Sequence, residues 1–336
     1  MNHSSMSRRN LLHAGAVGAA GASVAFVHKP VLASQPELPV SGSQPCGFYR
    51  FQIGEIPALV VTDGFASLSP PHPAIAPQAT KEELEKAFDD AFHPRDRANL
   101  EFNILCLTIG SDTVLIDTGM GPLGGPTSGR ALANLRAAGV EPESVSAVVL
   151  THAHGDHIGG LLGKDGSSAF PKAKIFMSKA EHDFWTGPSP DLSKMGLPAE
   201  RRSGMAQAAA KSLASLAKQL EFVKGGDSPL KGLTIVDTPG HTPGHLSVAI
   251  ESAGSRVFAI SDLAHNHVAM FTNPQWTIAF DTDPAQAAAT RTRIFSRLAD
   301  ERARVFAFHL PWPGLGRIGK HGTSFWWSIE PWAWQA

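Results

Sequence analysis

Cysteine and tyrosine are nearly absent from this chain of 336 residues, which has two of the first and one of the second. Two thiols cannot build a disulfide framework, so the fold must rest on a buried core. Charge is also sparse: 18% of residues are charged, with 29 Lys+Arg against 30 Asp+Glu. That balance gives no sign of a nucleic-acid partner or of a polybasic membrane anchor. The apolar run Leu11 to Val27 is 17 residues long and contains His13 and several glycines, too short and too mild for a stable membrane span. A 43% hydrophobic composition is enough for a full-sized core and excludes a disordered chain or a coiled coil. Histidine is the overused residue, with 15 copies.

Residues 1–33 carry Arg8, Arg9 and Lys29 and no acid. Ser7-Arg8-Arg9-Asn10-Leu11-Leu12, the weakly apolar run after it and the small residues around Ala33 resemble a twin-arginine export signal. Such a signal carries proteins across a membrane already folded, so the resemblance implies a periplasmic or secreted protein. Residues 34–47 are rich in Pro, Ser and Gly and read as a linker or arm, with a single domain expected over 48–336. An oxidising compartment would allow a bridge between Cys46 and Cys106. Cys106 lies inside the apolar run Asn103-Ile104-Leu105-Cys106-Leu107, however, where a buried free thiol is the expectation.

Short β-branched runs predict strands at 59–62, 103–109, 113–117, 147–151, 173–177, 233–237, 246–250, 257–261 and 305–309. Segments of helical period fall at 81–91, 131–138, 180–185, 202–220 and 284–298, the last opened by Asp283 as N-cap and Pro284. Strands alternating with helices predict a layered α/β domain. The aromatic run 325–334, with four Trp, is expected to be buried on the core or on a partner subunit.

The densest chemical signal is Thr151-His152-Ala153-His154-Gly155-Asp156-His157-Ile158-Gly159-Gly160. It follows the apolar run Ala147-Val148-Val149-Leu150 and so sits just past a strand end. Four ligand-type side chains in six residues, spaced by Ala and Gly, let one turn aim them at a common point. Imidazole and carboxylate are groups that zinc takes at about 2.0–2.2 Å. A polar surface loop is the plain alternative, and such a cluster directly after a buried strand argues against it. Three further elements match. Asp237-Thr238-Pro239-Gly240-His241-Thr242-Pro243-Gly244-His245 is a strand end with two His in a fixed turn. Ala259-Ile260-Ser261-Asp262 ends a strand with an acid, and Phe306-Ala307-Phe308-His309 ends another with a His. Singly each is weak, since a strand-end His is commonly packed and a strand-end Asp commonly caps. Together they supply neutral imidazoles and a carboxylate able to bridge two cations.

This order of motifs resembles the metallo-β-lactamase superfamily, and Asp117-Thr118-Gly119 after Val114-Leu115-Ile116 is similar to its upstream Asp-Thr-Gly element. Within it, Gly47-Phe48-Tyr49-Arg50, Gly125-Pro126-Thr127, Asp183-Phe184-Trp185 and His309-Leu310-Pro311-Trp312-Pro313-Gly314 most resemble the methyl parathion hydrolase group. The resemblance runs from about Gly47 to the C-terminal region. It implies an α/β fold, the metallo-β-lactamase-like αββα four-layer sandwich, and two divalent metal ions, with zinc expected. By resemblance, His152, His154 and His241 hold one metal. Asp156, His157 and His309 hold the other, and Asp262 bridges. Two cations lower the pKa of a shared water and make a hydroxide nucleophile, so no Ser or Cys nucleophile is needed. Asp156, Asp262 and His265 are the expected catalytic residues, His265 to assist a leaving group or bind a carbonyl. Asp117 and His245 are expected behind the ligands. A homodimer is implied by resemblance alone.

Phe184, Trp185, Met270, Phe271, Trp276, Ile278 and Phe280 lie near the ligand segments in sequence and are expected to form an apolar pocket wall, although core positions would suit them equally. The methyl parathion hydrolase resemblance implies phosphotriester hydrolysis. Gly124 stands where that group leads one to expect a bulky aromatic, and His265 where it leads one to expect an apolar residue. A roomier, more polar pocket moves the expectation to lactones and aryl esters, with organophosphates second. A β-lactamase is disfavoured by Asp262, where one lactamase type has Cys, and a nuclease by the charge balance. The alternative from another class is an iron persulfide dioxygenase of the same fold. The complete ligand set argues against that one-iron site and against a non-catalytic metal binder.

Overall fold

Side-chain alternation along the strands divides the apolar residues between separate cores. The computed structural model describes residues 47–333. The first sheet is β1 (Phe48–Ile53), β2 (Ile56–Leu68), β3 (Ala98–Ile109), β4 (Asp112–Ile116), β5 (Ala147–Val149), β6 (Lys174–Ser178) and β7 (Leu220–Val223), adjacent in that order. The second is β8 (Leu233–Asp237), β9 (Leu246–Ser252), β10 (Ser255–Ala259), β11 (Arg304–Phe306), β12 (Leu315–His321) and β13 (Ser324–Ile329). Ala58, Val60, Leu105, Leu107, Val114 and Ile116 share an inner core with Leu233, Ile235, Val248, Ile250, Val257 and Phe306 of the second sheet. Their neighbours Leu59, Val61, Ile104, Cys106 and Leu115 belong instead to a core that includes helical residues, as the period-two pleat requires.

The helices are α1 (Lys81–Asp90), α2 (Ala131–Ala137), α3 (Gly155–Ile158), α4 (Lys179–Thr186), α5 (Ala199–Ser215), α6 (Ala269–Thr272) and α7 (Pro284–Asp300). Leu135 of α2, Leu213 of α5 and Ile294, Phe295 and Leu298 of α7 fill the outer core. The result is the expected αββα sandwich. Thr80 caps α1 with a reciprocal Glu83 box, and Asp283 caps α7 by accepting from the Gln286 N–H, as its position before Pro284 predicts.

The predicted strands all have counterparts, whereas β1, β7, β12 and β13 were not foreseen. The helical period over 202–220 ran too far: α5 ends at Ser215 and Leu220 opens β7. The aromatic run is only half buried. Alternation along β13 turns Phe325 inward and leaves Trp326 51% exposed, and Ile329, on the Phe325 face at the strand's end, is 49% exposed. Among the described residues no helix is long and apolar enough to cross a membrane. The export-signal reading, the linker up to residue 46 and Cys46 itself lie outside the described residues. Cys106 is a buried free thiol whose pKa burial pushes up to about 12. At neutral pH its thiol is therefore expected to resist iodoacetamide in the native protein and react after unfolding, which peptide mass mapping would read.

Candidate metal centre

Two parallel strand pairs bring the chemistry together. In the first sheet β4 runs parallel to β5, and in the second β10 runs parallel to β11. Parallel neighbours end side by side, so the segments leaving them converge. Asp117 follows β4, the His152–His157 loop follows β5, Asp262 follows β10 and His309 follows β11. His241 comes from the β8–β9 connection. Asp117 (φ 64°) and Ser261 (φ 46°) are left-handed without being glycine. Such backbone costs on the order of 1–3 kcal/mol and persists where surroundings over-determine it.

The donor atoms form two sets that share Asp262. In one, the Nδ1 of His154 lies 3.1 Å from His152 Nε2 and 2.9 Å from His241 Nε2. Asp262 Oδ2 is 3.6 Å from His152 Nε2 and 3.3 Å from His241 Nε2. A tetrahedral zinc with bonds of about 2.0–2.1 Å needs ligand atoms roughly 3.3–3.4 Å apart, which these separations bracket. In the other set, Asp156 Oδ2 is 3.6 Å from His157 Nε2 and 3.4 Å from His309 Nε2. Asp262 faces it with Oδ1 3.2 Å from His157 Nε2 and Oδ2 3.2 Å from His309 Nε2. His157 Nε2 is buried with no hydrogen-bond partner, as a nitrogen reserved for a cation would be. The sequence-predicted donors His152, His154, Asp156, His157, His241, Asp262 and His309 are all brought together.

Groups behind the donors orient them. The Nδ1 of His157 lies 2.8 Å from Asp117 Oδ2, that of His241 2.7 Å from Asp281 Oδ1 and that of His309 2.9 Å from the Glu101 carbonyl. Because each of these partners only accepts, the Nδ1–H donates and Nε2 is the nitrogen turned inward. Thr151 Oγ1 donates to Asp117, tying the β4 and β5 ends together. Burial holds His152 and His154 well below the usual imidazole range, keeping them neutral. Burial also opposes charge on His241, but its hydrogen bonds to Asp262 and Asp281 outweigh that and hold it up at about 9. Carboxylates in such number call for cations.

His245 lies behind the donor sets. Its Nε2 accepts from the Asp262 N–H at 3.2 Å while Nδ1 meets Thr238, and burial lowers its pKa to about 3. His265 lies 3.0 Å from Asp262 Oδ2 through Nε2, its Nδ1 is buried and unpartnered, and burial lowers its pKa to about 4. His265 also lines the cavity, so the residue whose Nε2 holds the Asp262 carboxylate borders the space open to a substrate.

A cavity of about 490 Å³ opens on the donors His154, Asp156, His241, Asp262 and His309. Its apolar walls are Phe65, Leu68, Leu100, Phe102, Met120, Met205 and Phe280. Of the apolar wall residues expected from sequence, Phe280 alone lines it. Trp185, Met270, Phe271 and Ile278 are fully buried core, Phe184 packs half-buried against that core and Trp276 joins a separate cluster. Gly124 does not widen the cavity either: a Cβ there would meet the Gly129 backbone at 2.7 Å.

Asp281, Glu181 and Asp63 were missed. Asp281 reads in sequence as one of two acids before α7, and Glu181 as an ordinary residue of a charged helix. Glu181 is fully buried, with Oε1 accepting from Ala153 N and Trp185 Nε1 and Oε2 from Gly244 N. Asp63, buried on β2, accepts from the backbone of Met120, Gly129 and Ala131.

Two facing sheets with a His/Asp cluster at their strand ends define a binuclear-type centre in an αββα sandwich. The family model of the metallo-beta-lactamase superfamily matches residues 103–309, and the chain belongs to that superfamily. It is 33% identical to AidC, a dizinc quorum-quenching lactonase solved with a product, over 85% of this chain and 98% of that one, with a TM-score of 0.83. It is 29% identical to the hydrolase AbOPH of the beta lactamase superfamily, over 86% of this chain and 99% of that one, with a TM-score of 0.78. An N-acyl homoserine lactonase from Bacillus sp is 25% identical over 47% of this chain and 54% of the relative. The chain thus spans about half the length of the curated relatives it matches.

Proposed function

We propose that this protein is a hydrolase that works with two divalent cations, zinc by its donor set, and opens lactones or cleaves small carboxylic esters. The carrying observation is Asp262, whose two oxygens face two donor sets at the floor of a largely apolar cavity. His152, His154 and His241 would hold one cation, Asp156, His157 and His309 the other, and Asp262 both. Bound there, two cations supply a water acidic enough to act as hydroxide near neutral pH and offset the charge growing on a substrate oxygen.

The protein's own residues do the rest. Asp117, Asp281 and the Glu101 carbonyl fix which imidazole nitrogen faces inward. His265 and His245 hold the Asp262 carboxylate and backbone. The apolar walls exclude water from one side of the cavity and match a hydrophobic acyl or aryl group. Likeness to AidC supports a lactone over the other esters. Phosphotriester cleavage rests on the methyl parathion hydrolase resemblance alone and is the secondary activity proposed. The Arg8-Arg9 segment supports a place outside the cytoplasm. A one-iron dioxygenase would leave the second donor set without a task, and that set is complete.

Elemental analysis of the purified protein, with the same sample assayed on an acyl homoserine lactone, an aryl ester and a dimethyl aryl phosphotriester, tests this reading. About two zinc ions per chain and chelator-sensitive turnover, fastest on the lactone, are expected. One iron per chain without hydrolysis would overturn it.

A further inference from the structure

We propose that Glu181 is a positioning residue that presets the His152–His154–His241 donor set before metal arrives, and so sets the affinity of that site separately from the other; the idea rests on the two-cation reading above. Glu181 lies in the first turn of α4, is 0% exposed and forms no ion pair with Lys or Arg among the described residues. Its carboxylate joins two segments distant in sequence. Oε1 accepts at 2.9 Å from the N–H of Ala153, the residue between His152 and His154. Oε2 accepts at 3.0 Å from the N–H of Gly244, three residues beyond His241. Trp185, one turn along α4, donates its Nε1–H to Oε1 at 2.6 Å and fixes the rotamer.

The approach is close enough to demand glycine at position 244, where a Cβ would stand 2.2 Å from the Glu181 backbone nitrogen. All three partners are donors, so the group needed is a carboxylate with both oxygens accepting. Among the described residues no carboxylate joins the two segments of the other set in this way. Asp117 accepts from His157 and from Thr151 of the same loop, the Glu101 carbonyl holds His309, and the Asp156 side chain is 22% exposed. One clamp therefore spans one site and leaves the other to its individual ligands.

Glu181→Gln tests this sharply. An amide can still accept from Ala153 and Trp185 through its oxygen, but its NH₂ then faces the Gly244 N–H, donor against donor. Chelator competition on the full chain should resolve two zinc dissociation constants for the wild type. In Glu181→Gln one should weaken about 10–100-fold while the other moves less than about threefold, the scale seen when a ligand's supporting partner is lost. Trp185→Phe, which keeps both loop contacts and loses only the bond that fixes the rotamer, should weaken the same constant by less than Glu181→Gln does and leave the other unchanged. A purely structural role would move both constants together with the melting temperature, and that outcome, or two unchanged constants, overturns the proposal. Should Glu181→Gln fail to fold, amide exchange on the metal-free wild type decides: the Ala153 and Gly244 N–H groups are expected to be protected before metal is added, and rapid exchange sinks the idea. A wild type that binds two zinc ions but hydrolyses nothing removes the hydrolase reading and leaves this one standing.

Discussion

Asp262→Asn should reduce zinc from about two ions per chain to about one and lower kcat/KM by at least about 10³-fold, some 4 kcal/mol of transition-state stabilisation. The size follows from how completely the carboxylate is used. Oδ1 faces His157 at 3.2 Å, while Oδ2 faces His152, His241, His309 and His265 at 3.0–3.6 Å. An amide offers one accepting oxygen and turns an NH₂ to the other side, so one donor set loses its shared anion. The fold should survive, because Asn has the same shape and His245 still accepts from the backbone N–H of residue 262. Metal analysis, circular dichroism and lactone turnover on one preparation separate these effects. Two retained ions with activity within tenfold of wild type would show that Asp262 does not serve both sets.

The second large effect is on stability. Asp63→Ala removes the acceptor for Ala131 N at 2.7 Å, Met120 N at 2.8 Å and Gly129 N at 3.1 Å. Ala131 is buried and Met120 partly so, and each unpaired N–H costs about 1–3 kcal/mol, so a loss of about 3 kcal/mol is expected in denaturant unfolding. The segment it gathers contributes Met120, Gly125, Thr127 and Ser128 to the cavity wall. KM should therefore rise several-fold with zinc content unchanged, whereas Asp63→Asn, which keeps one accepting oxygen, should fall between. A stability change under 1 kcal/mol would mean that water replaces the carboxylate and the segment holds itself.

Much of the centre could be read from the chain because its chemistry is locally dense. His152, His154, Asp156 and His157 occupy one turn after an apolar strand, and Asp262 and His309 each follow a strand, the position from which α/β sheets project functional groups. Asp281 could not be read that way. It reaches His241 across 40 residues, and in sequence it is indistinguishable from its neighbour Asp283, which caps α7 and pairs with Lys194 at the surface. Glu181 is hidden by its company, between exposed Lys179 and Asp183, which pair with each other on the solvent side of α4.

The pocket was misread for a related reason. Phe271 and Ile278 are close to Asp262 along the chain, yet their side chains turn into the core beneath it. The walls come instead from the far ends of β2 and β3, at Phe65, Leu68, Leu100 and Phe102, and from Met205 on α5. Proximity in sequence says little about which side of an element faces the cavity.

The amino-acid order by itself determined the alternation that builds the strands, the cap that starts α7 and the imidazole and carboxylate donors at the strand ends. These are local consequences of period, turn chemistry and residue type. Only the tertiary structure decided which apolar residues became cavity wall, which nitrogen of each histidine faces inward and that Asp281 and Glu181 stand behind them. Hydrophobicity specifies that a side chain leaves water, and a carboxylate's chemistry specifies that it accepts; neither specifies its neighbour. That choice is made when parallel strands bring distant loops to the same edge.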